Sequence, residues 1–127
     1  MKYPEDLKYA ESDEWIRVDG DTATIGISDY AQEALNDLVY VEFKEVGETL
    51  AQGEAFGEVE SVKAASEVYL PVAGEITAVN SDLEGDPETV NGDPYGAGWM
   101  IKIKITDSSN LANLMDATAY KEYCDNR

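Results

Sequence analysis

The sequence is cut into short runs of β-branched and aromatic residues. The clearest, Trp99-Met100-Ile101-Lys102-Ile103-Lys104-Ile105, alternates apolar and polar positions. Side chains of a strand point to opposite faces in turn, so this spacing predicts a half-buried strand with Trp99, Ile101, Ile103 and Ile105 inward and Met100, Lys102 and Lys104 outward. A helix cannot collect residues spaced by two on one face.

The other runs fit the same plan. Trp15 to Val18 and Thr22 to Ile27 flank Asp19-Gly20, a tight-turn dipeptide, and predict a hairpin. Leu38 to Phe43, Thr49-Leu50 between Gly47 and Gly53, and Glu75 to Val79 predict further strands. Ser28 or Asp29 caps a short helix over 30–35 with Ala31, Ala34 and Leu35 on its inner side. Asp107 or Ser108 opens a helical tail whose Leu111, Leu114, Met115 and Ala119 form an apolar stripe. The polar stretch up to Ser12 is expected on the surface, and the Asn-, Asp-, Pro- and Gly-rich segment 80–98 as an exposed excursion. Strands with helices only at the periphery imply a mainly β fold, a sandwich or flattened barrel with added helices. A Gly-Glu pair opens a strand at both Gly47 and Gly74, a weak sign of two similar halves facing each other around residues 62–65. At 127 residues the chain is the size of one domain, 1–127, with 107–127 as a C-terminal helical extension.

Composition removes several functions. With 27 acidic against 9 basic residues the formal charge is −18, a field that repels nucleic acid and anionic membranes. Histidine is absent, which takes away the usual base of Ser and Cys nucleophiles and the commonest transition-metal ligand. Cys124 is the only cysteine, so neither an internal disulfide nor a multi-cysteine metal cluster is available. Residues 80–85 resemble the start of a calcium loop, but the twelfth position is Asn91 rather than a bidentate Glu, and no metal is expected. The N-terminus has neither signal nor transit character and no segment is long enough to span a membrane, so a cytoplasmic monomer is expected, or a mitochondrial matrix protein if the chain is a processed eukaryotic form.

Lys63 is the only basic residue between Lys44 and Lys102, and Val62, Ala64 and Ala65 around it are small or compact. Alone, such a lysine reads as a solubilising surface residue. Nor do 62–65 contain the Gly, Pro or Asn that would call for a turn. The wording around it is more telling. Glu60-Ser61-Val62-Lys63-Ala64, then a short strand, then Pro71-Val72-Ala73-Gly74-Glu75, closely resembles the modified-lysine segment of glycine cleavage H proteins. Glu14-Trp15, the stretch Ile25 to Gln32, Val39 to Glu42, Val79-Asn80, Asp93-Pro94-Tyr95 and Gly98 to Ile103 resemble further landmarks of that family in the same order, over nearly the whole chain. Asp13 stands where the family usually has His, Phe43-Lys44 where it has Leu-Pro, and Asn36 where Gly ends the first helix.

The resemblance implies a lipoyl/biotinyl-type flattened barrel-sandwich hybrid with a peripheral N-terminal hairpin, a short helix and C-terminal helices. It implies lipoate attached covalently to Lys63, with Glu60 helping the lipoylating enzyme recognise the hairpin and Gly74 letting the backbone pass close to the lysine-bearing turn. A groove near Ser12, Glu14 and Glu67 would receive the arm's cargo. On this reading the chain is a carrier and not an enzyme. It takes an aminomethyl group from glycine decarboxylase (P protein) to aminomethyltransferase (T protein), and is reoxidised by dihydrolipoyl dehydrogenase (L protein). The alternative is a lipoyl donor or relay scaffold for other lipoate-dependent enzymes. A biotin carrier would place Met on both sides of the lysine. A 2-oxoacid dehydrogenase lipoyl domain reads Asp-Lys-Ala and lacks the extra hairpin and helical tail.

Overall fold

A computed structural model describes residues 1–127. Its strands are β1 (Lys8–Tyr9), β2 (Glu14–Asp19), β3 (Thr22–Ile27), β4 (Leu38–Phe43), β5 (Thr49–Leu50), β6 (Ala55–Ser61), β7 (Ala65–Tyr69), β8 (Gly74–Val79) and β9 (Ile101–Ile105). They form two antiparallel sheets, a six-stranded one in the order β1-β2-β3-β9-β8-β5 and a three-stranded one, β4-β6-β7. The inward residues of both sheets, among them Ile25, Val41, Phe56, Val59, Val68, Ile76, Ile101 and Ile103, make one apolar core. The mainly β, two-sheet prediction holds. The hairpin β2-β3 is not an appendage, however, because β3 pairs with β9 inside the larger sheet. The two Gly-Glu strands also share that sheet: β5 lies against β8, with Leu50 opposite Gly74.

Helix α1 (Asp29–Leu35) starts where Ser28 accepts the Ala31 N–H at 3.1 Å. It ends at Asn36, whose φ of 69° supplies the left-handed residue that glycine would otherwise provide. Ala31 is buried and Leu35 half-buried, but Ala34 is exposed, against the predicted inner face. In β4 a bulge at Val39 shifts the register between Leu38 and Tyr40. Leu38 and Val41 therefore face the core while Val39 and Tyr40 face solvent.

Three expectations fail for one reason, that tertiary packing recruits residues which local composition marks as surface. The opening stretch carries β1, and its Leu7 and Tyr9 are buried in a second cluster with Trp15, Ala117, Tyr120 and Cys124. Segment 80–98 holds two single-turn helices, α2 (Asp82–Gly85) and α3 (Thr89–Gly92), whose Leu83 and Val90 enter the main core. Met100, predicted outward, is fully buried in that same core, because it precedes β9 and its own N–H donates to the Ile25 carbonyl. The tail is two pieces rather than one stripe. A 3-10 turn over Ser108–Asn113 is followed by α4 (Ala117–Asp125), capped by Asp116, and α4 buries Ala117, Tyr120 and Cys124 while Ala119 is exposed. No helix is long and apolar enough to cross a membrane.

Gly74 is a close-approach position. A Cβ there would stand 2.7 Å from the Lys104 carbonyl oxygen and 2.8 Å from an Ile103 methyl group. The approach it permits is thus to β9, not to the lysine-bearing turn. Gly74→Ala should lower the urea unfolding midpoint by the equivalent of about 1–3 kcal/mol, the usual cost of forcing one carbon into a filled site. An unchanged midpoint would mean that β9 yields freely.

Candidate functional site

Lys63 lies in the connection between β6 and β7, with Val62, Lys63 and Ala64 all exposed. The missing turn residue is Ser61. Its hydroxyl oxygen accepts the Ala64 N–H at 3.0 Å and the Lys63 N–H at 3.3 Å and donates to the Ala64 carbonyl at 3.1 Å, while its backbone N–H bonds the same carbonyl at 2.7 Å. A serine side chain closing a turn in this way is a known signal, but a weak one in a sequence with many serines. The Val62 N–H donates to the Asp37 carbonyl at 3.0 Å, which ties the turn to the start of β4. The Lys63 ammonium makes no ion pair; the ion pairs are Arg17–Asp6, Lys121–Asp125 and Arg127–Asp13.

Glu60 is half-buried on β6, opposite Tyr40 on one side and Ala65 on the other. Glu42, Glu58 and Glu67 lie directly opposite one another across β4, β6 and β7 and line an open acidic cleft of about 440 Å³ with Glu45, Glu48 and Lys44.

Ser12 and Glu14 form a separate arrangement. Ser12 donates a short hydrogen bond to Glu14 Oε1, and Glu14 Oε2 accepts the Tyr69 N–H at 3.0 Å. Glu14 is only 1% exposed. Burial pushes its carboxyl up to about 7, against the opposing pull of the Ser12 and Tyr69 hydrogen bonds and with a smaller push from Asp13. Beside it Ser12, Tyr69, Leu70 and Pro71 border a cleft of about 210 Å³ together with Gln52 and Leu114. Glu67 does not line this cleft. It is connected to it through Tyr69, whose hydroxyl donates to Glu67 Oε2 at 3.2 Å. Sequence reasoning did not single out Tyr69, whose role depends on its backbone facing one carboxylate and its ring hydroxyl another.

Two polar residues of the supposed calcium loop, Asn80 and Asn91, are engaged in holding the fold. Asn80 donates to the carbonyls of Ala97 and Trp99, and Asn91 accepts the Leu38 N–H while donating to the Asn36 carbonyl.

Two facing antiparallel sheets that present a lysine on a β-hairpin define the architecture of the lipoyl/biotinyl type of carrier domain. Residues 7–127 match the family model described as Glycine cleavage H-protein. The chain is 55% identical over 120 residues to the glycine cleavage system H protein of Laribacter hongkongensis, covering 94% of each chain. It is also 55% identical over 121 residues to the protein of that name from Bacteroides thetaiotaomicron, covering 95% of this chain and 96% of that one. Among solved structures, the glycine cleavage system H protein of Mycobacterium marinum superposes with a TM-score of 0.87 at 41% identity, covering 94% of this chain and 96% of the other. The chain belongs to the glycine cleavage H-protein family.

Proposed function

We propose that the chain is the lipoyl-bearing shuttle of a glycine cleavage system, a carrier rather than a catalyst, with lipoate in amide linkage to Lys63 Nζ. The observation that carries this reading is an exposed lysine, free of ion pairs, on a hairpin ordered by its own serine, in a chain of this family. The residues suit the group. Converting the ammonium into an amide breaks no ion pair, and small neighbours leave the amine open to an acylating enzyme. When attached, the lipoyl group supplies a dithiolane that accepts and releases a one-carbon aminomethyl cargo, so the chain needs no nucleophile or base of its own.

The chain's own residues hold and shelter. Strand β7, from Ala65 to Tyr69, spans roughly 13 Å, a length within the reach of a lysine side chain extended by a lipoyl chain. An arm laid back along β7 ends by the cleft that Ser12 and Tyr69 border. Just behind its wall the buried Glu14, its carboxyl pushed up to about 7, ionises as a cationic cargo arrives beside Ser12 and draws it in, while Tyr69 N–H and Ser12 hold the carboxylate in place. Glu67, reaching the cleft through Tyr69, adds negative potential on the way. Glu60 serves recognition by the lipoylating enzyme. The partners on this reading are glycine decarboxylase, aminomethyltransferase, dihydrolipoyl dehydrogenase and the lipoylating enzyme, and the net charge of −18 favours basic docking surfaces on them. The whole chain acts as one carrier domain.

The test is reconstitution. Full-length chain lipoylated in vitro and mixed with glycine decarboxylase should support exchange of labelled CO₂ into glycine, and the unmodified chain should not. A lipoylated chain that donates its lipoyl group to other carriers yet supports no exchange would overturn the shuttle in favour of a relay.

A further inference from the structure

The segment that carries Ser12 and Glu14 is gripped from outside by α4. Asp13 lies between them in the left-handed region, with φ of 82°, which a non-glycine residue rarely adopts unless its surroundings enforce it. Its backbone is fixed at both ends: its N–H donates to the Ala10 carbonyl at 2.9 Å, and its carbonyl accepts the Ser28 N–H at 2.9 Å. Its side chain takes Arg127 as a fork, Nη1 to Oδ1 at 2.5 Å and Nη2 to Oδ2 at 3.1 Å. The Tyr120 hydroxyl also reaches Asp13 Oδ1 at 2.8 Å, and it contacts Ser28 Oγ at 2.6 Å. Because a carboxylate only accepts, Tyr120 donates to Asp13 and Ser28 donates to Tyr120. Tyr123 donates to the Glu11 carbonyl at 3.2 Å, so α4 holds the residues on both sides of Ser12.

The Arg127 guanidinium is itself located by its ring contacts, 4.3 Å from the centroid of Tyr30 and 4.7 Å from that of Tyr123. Bidentate pairing fixes direction as well as distance, which a lone charge would not. This pair is not a surface ornament, since the side chains of Arg127 and Asp13 are 28% and 15% exposed.

We propose that Arg127 is a positioning residue for the cargo site: acting through Asp13, with Tyr120 beside it, it locks the turn that presents Ser12 to the cleft beside Tyr69 and seats Glu14 buried behind it. The proposal deepens the carrier reading and rests on it for what the cleft receives. Asp13 stands where the family usually has His, and Arg127 and Tyr120 are the groups that make an aspartate fit there. With the lock released, the turn relaxes from its left-handed residue and water reaches the Glu14 carboxyl.

The experiment follows Glu14 by carbon NMR during a pH titration of the full-length unmodified chain, in Arg127→Ala, Arg127→Lys, Tyr120→Phe and Lys121→Ala. Lys121→Ala removes the exposed Lys121–Asp125 pair from the same helix and controls for general weakening of α4. The Glu14 ionisation constant should rise about tenfold in Arg127→Ala, recover most of the way in Arg127→Lys, and stay within about twofold of the parent in Lys121→Ala. On the lipoylated chain, Arg127→Ala should also lose its cargo several-fold faster to water, as formaldehyde and ammonium. If Arg127→Ala does not fold, Tyr120→Phe, which deletes one hydroxyl, decides the matter by the same titration. A Glu14 titration unmoved in folded Arg127→Ala, or moved equally by Lys121→Ala, overturns the proposal. An absent lipoyl group would overturn the carrier reading alone, because the titration needs no arm.

Discussion

Lys63→Arg is expected to fold like the parent and to acquire no lipoyl group at all. The side chain is exposed and forms no ion pair, and the turn is held by backbone groups and Ser61, so stability should change by no more than about 0.5 kcal/mol. Charge is preserved too. What changes is nucleophilicity: acylation needs a neutral amine, and a guanidinium stays protonated at any working pH. The effect on function should therefore be all or none, with exchange of labelled CO₂ into glycine falling to the level seen without the chain. Intact mass and thermal unfolding of the variant, purified beside the parent, check both halves. A lipoyl mass on Lys63→Arg would place the attachment elsewhere.

Glu14→Gln should make the protein more stable at pH 8 and no different near pH 4. Burial raises the folded carboxyl to about 7 from an ordinary 4.5. Below about 4.5 the group is protonated in both states and costs nothing. Between the two values the unfolded chain releases its proton while the folded one keeps it, so stability falls as pH rises, and above about 7 the full penalty is present. The drop is on the order of 3 kcal/mol at most. Glutamine keeps the shape, accepts the Tyr69 N–H and can donate to Ser12, yet never ionises. Urea midpoints from pH 4 to pH 8 should show a fall in the parent that is much smaller in the variant. Parallel curves would mean that Glu14 titrates as an ordinary surface acid. The same substitution should weaken retention of a cationic cargo, because the penalty in the empty chain is what an incoming ammonium relieves.

The strands, the Asp19-Gly20 turn and the Ser28 cap were legible because each is set by residues adjacent in sequence. So was the lysine segment, through its motif. What stayed hidden depends on distant neighbours. Leu7, Tyr9, Leu83, Val90 and Met100 are buried by packing that no local pattern announces. The Val39 bulge breaks the alternation of β4, and Ser61 closes the key turn with a side chain common enough to be overlooked. Most clearly, Asp13 read as a departure from the family, whereas its partner Arg127 lies 114 positions away in the chain. The resemblance groups Glu14 with Glu67, but Glu67 lines the acidic cleft while Glu14 is buried behind Ser12, and the two are linked only through Tyr69.

Whether the Lys63 amine takes the lipoyl group is read by mass spectrometry of the intact full-length chain expressed with a lipoylating enzyme and lipoate, followed by peptide mapping. The expected result is one lipoyl group per chain, located on the peptide that contains Lys63. A chain that remains unmodified under conditions that lipoylate a known H protein, or that carries the group on another lysine, would contradict it.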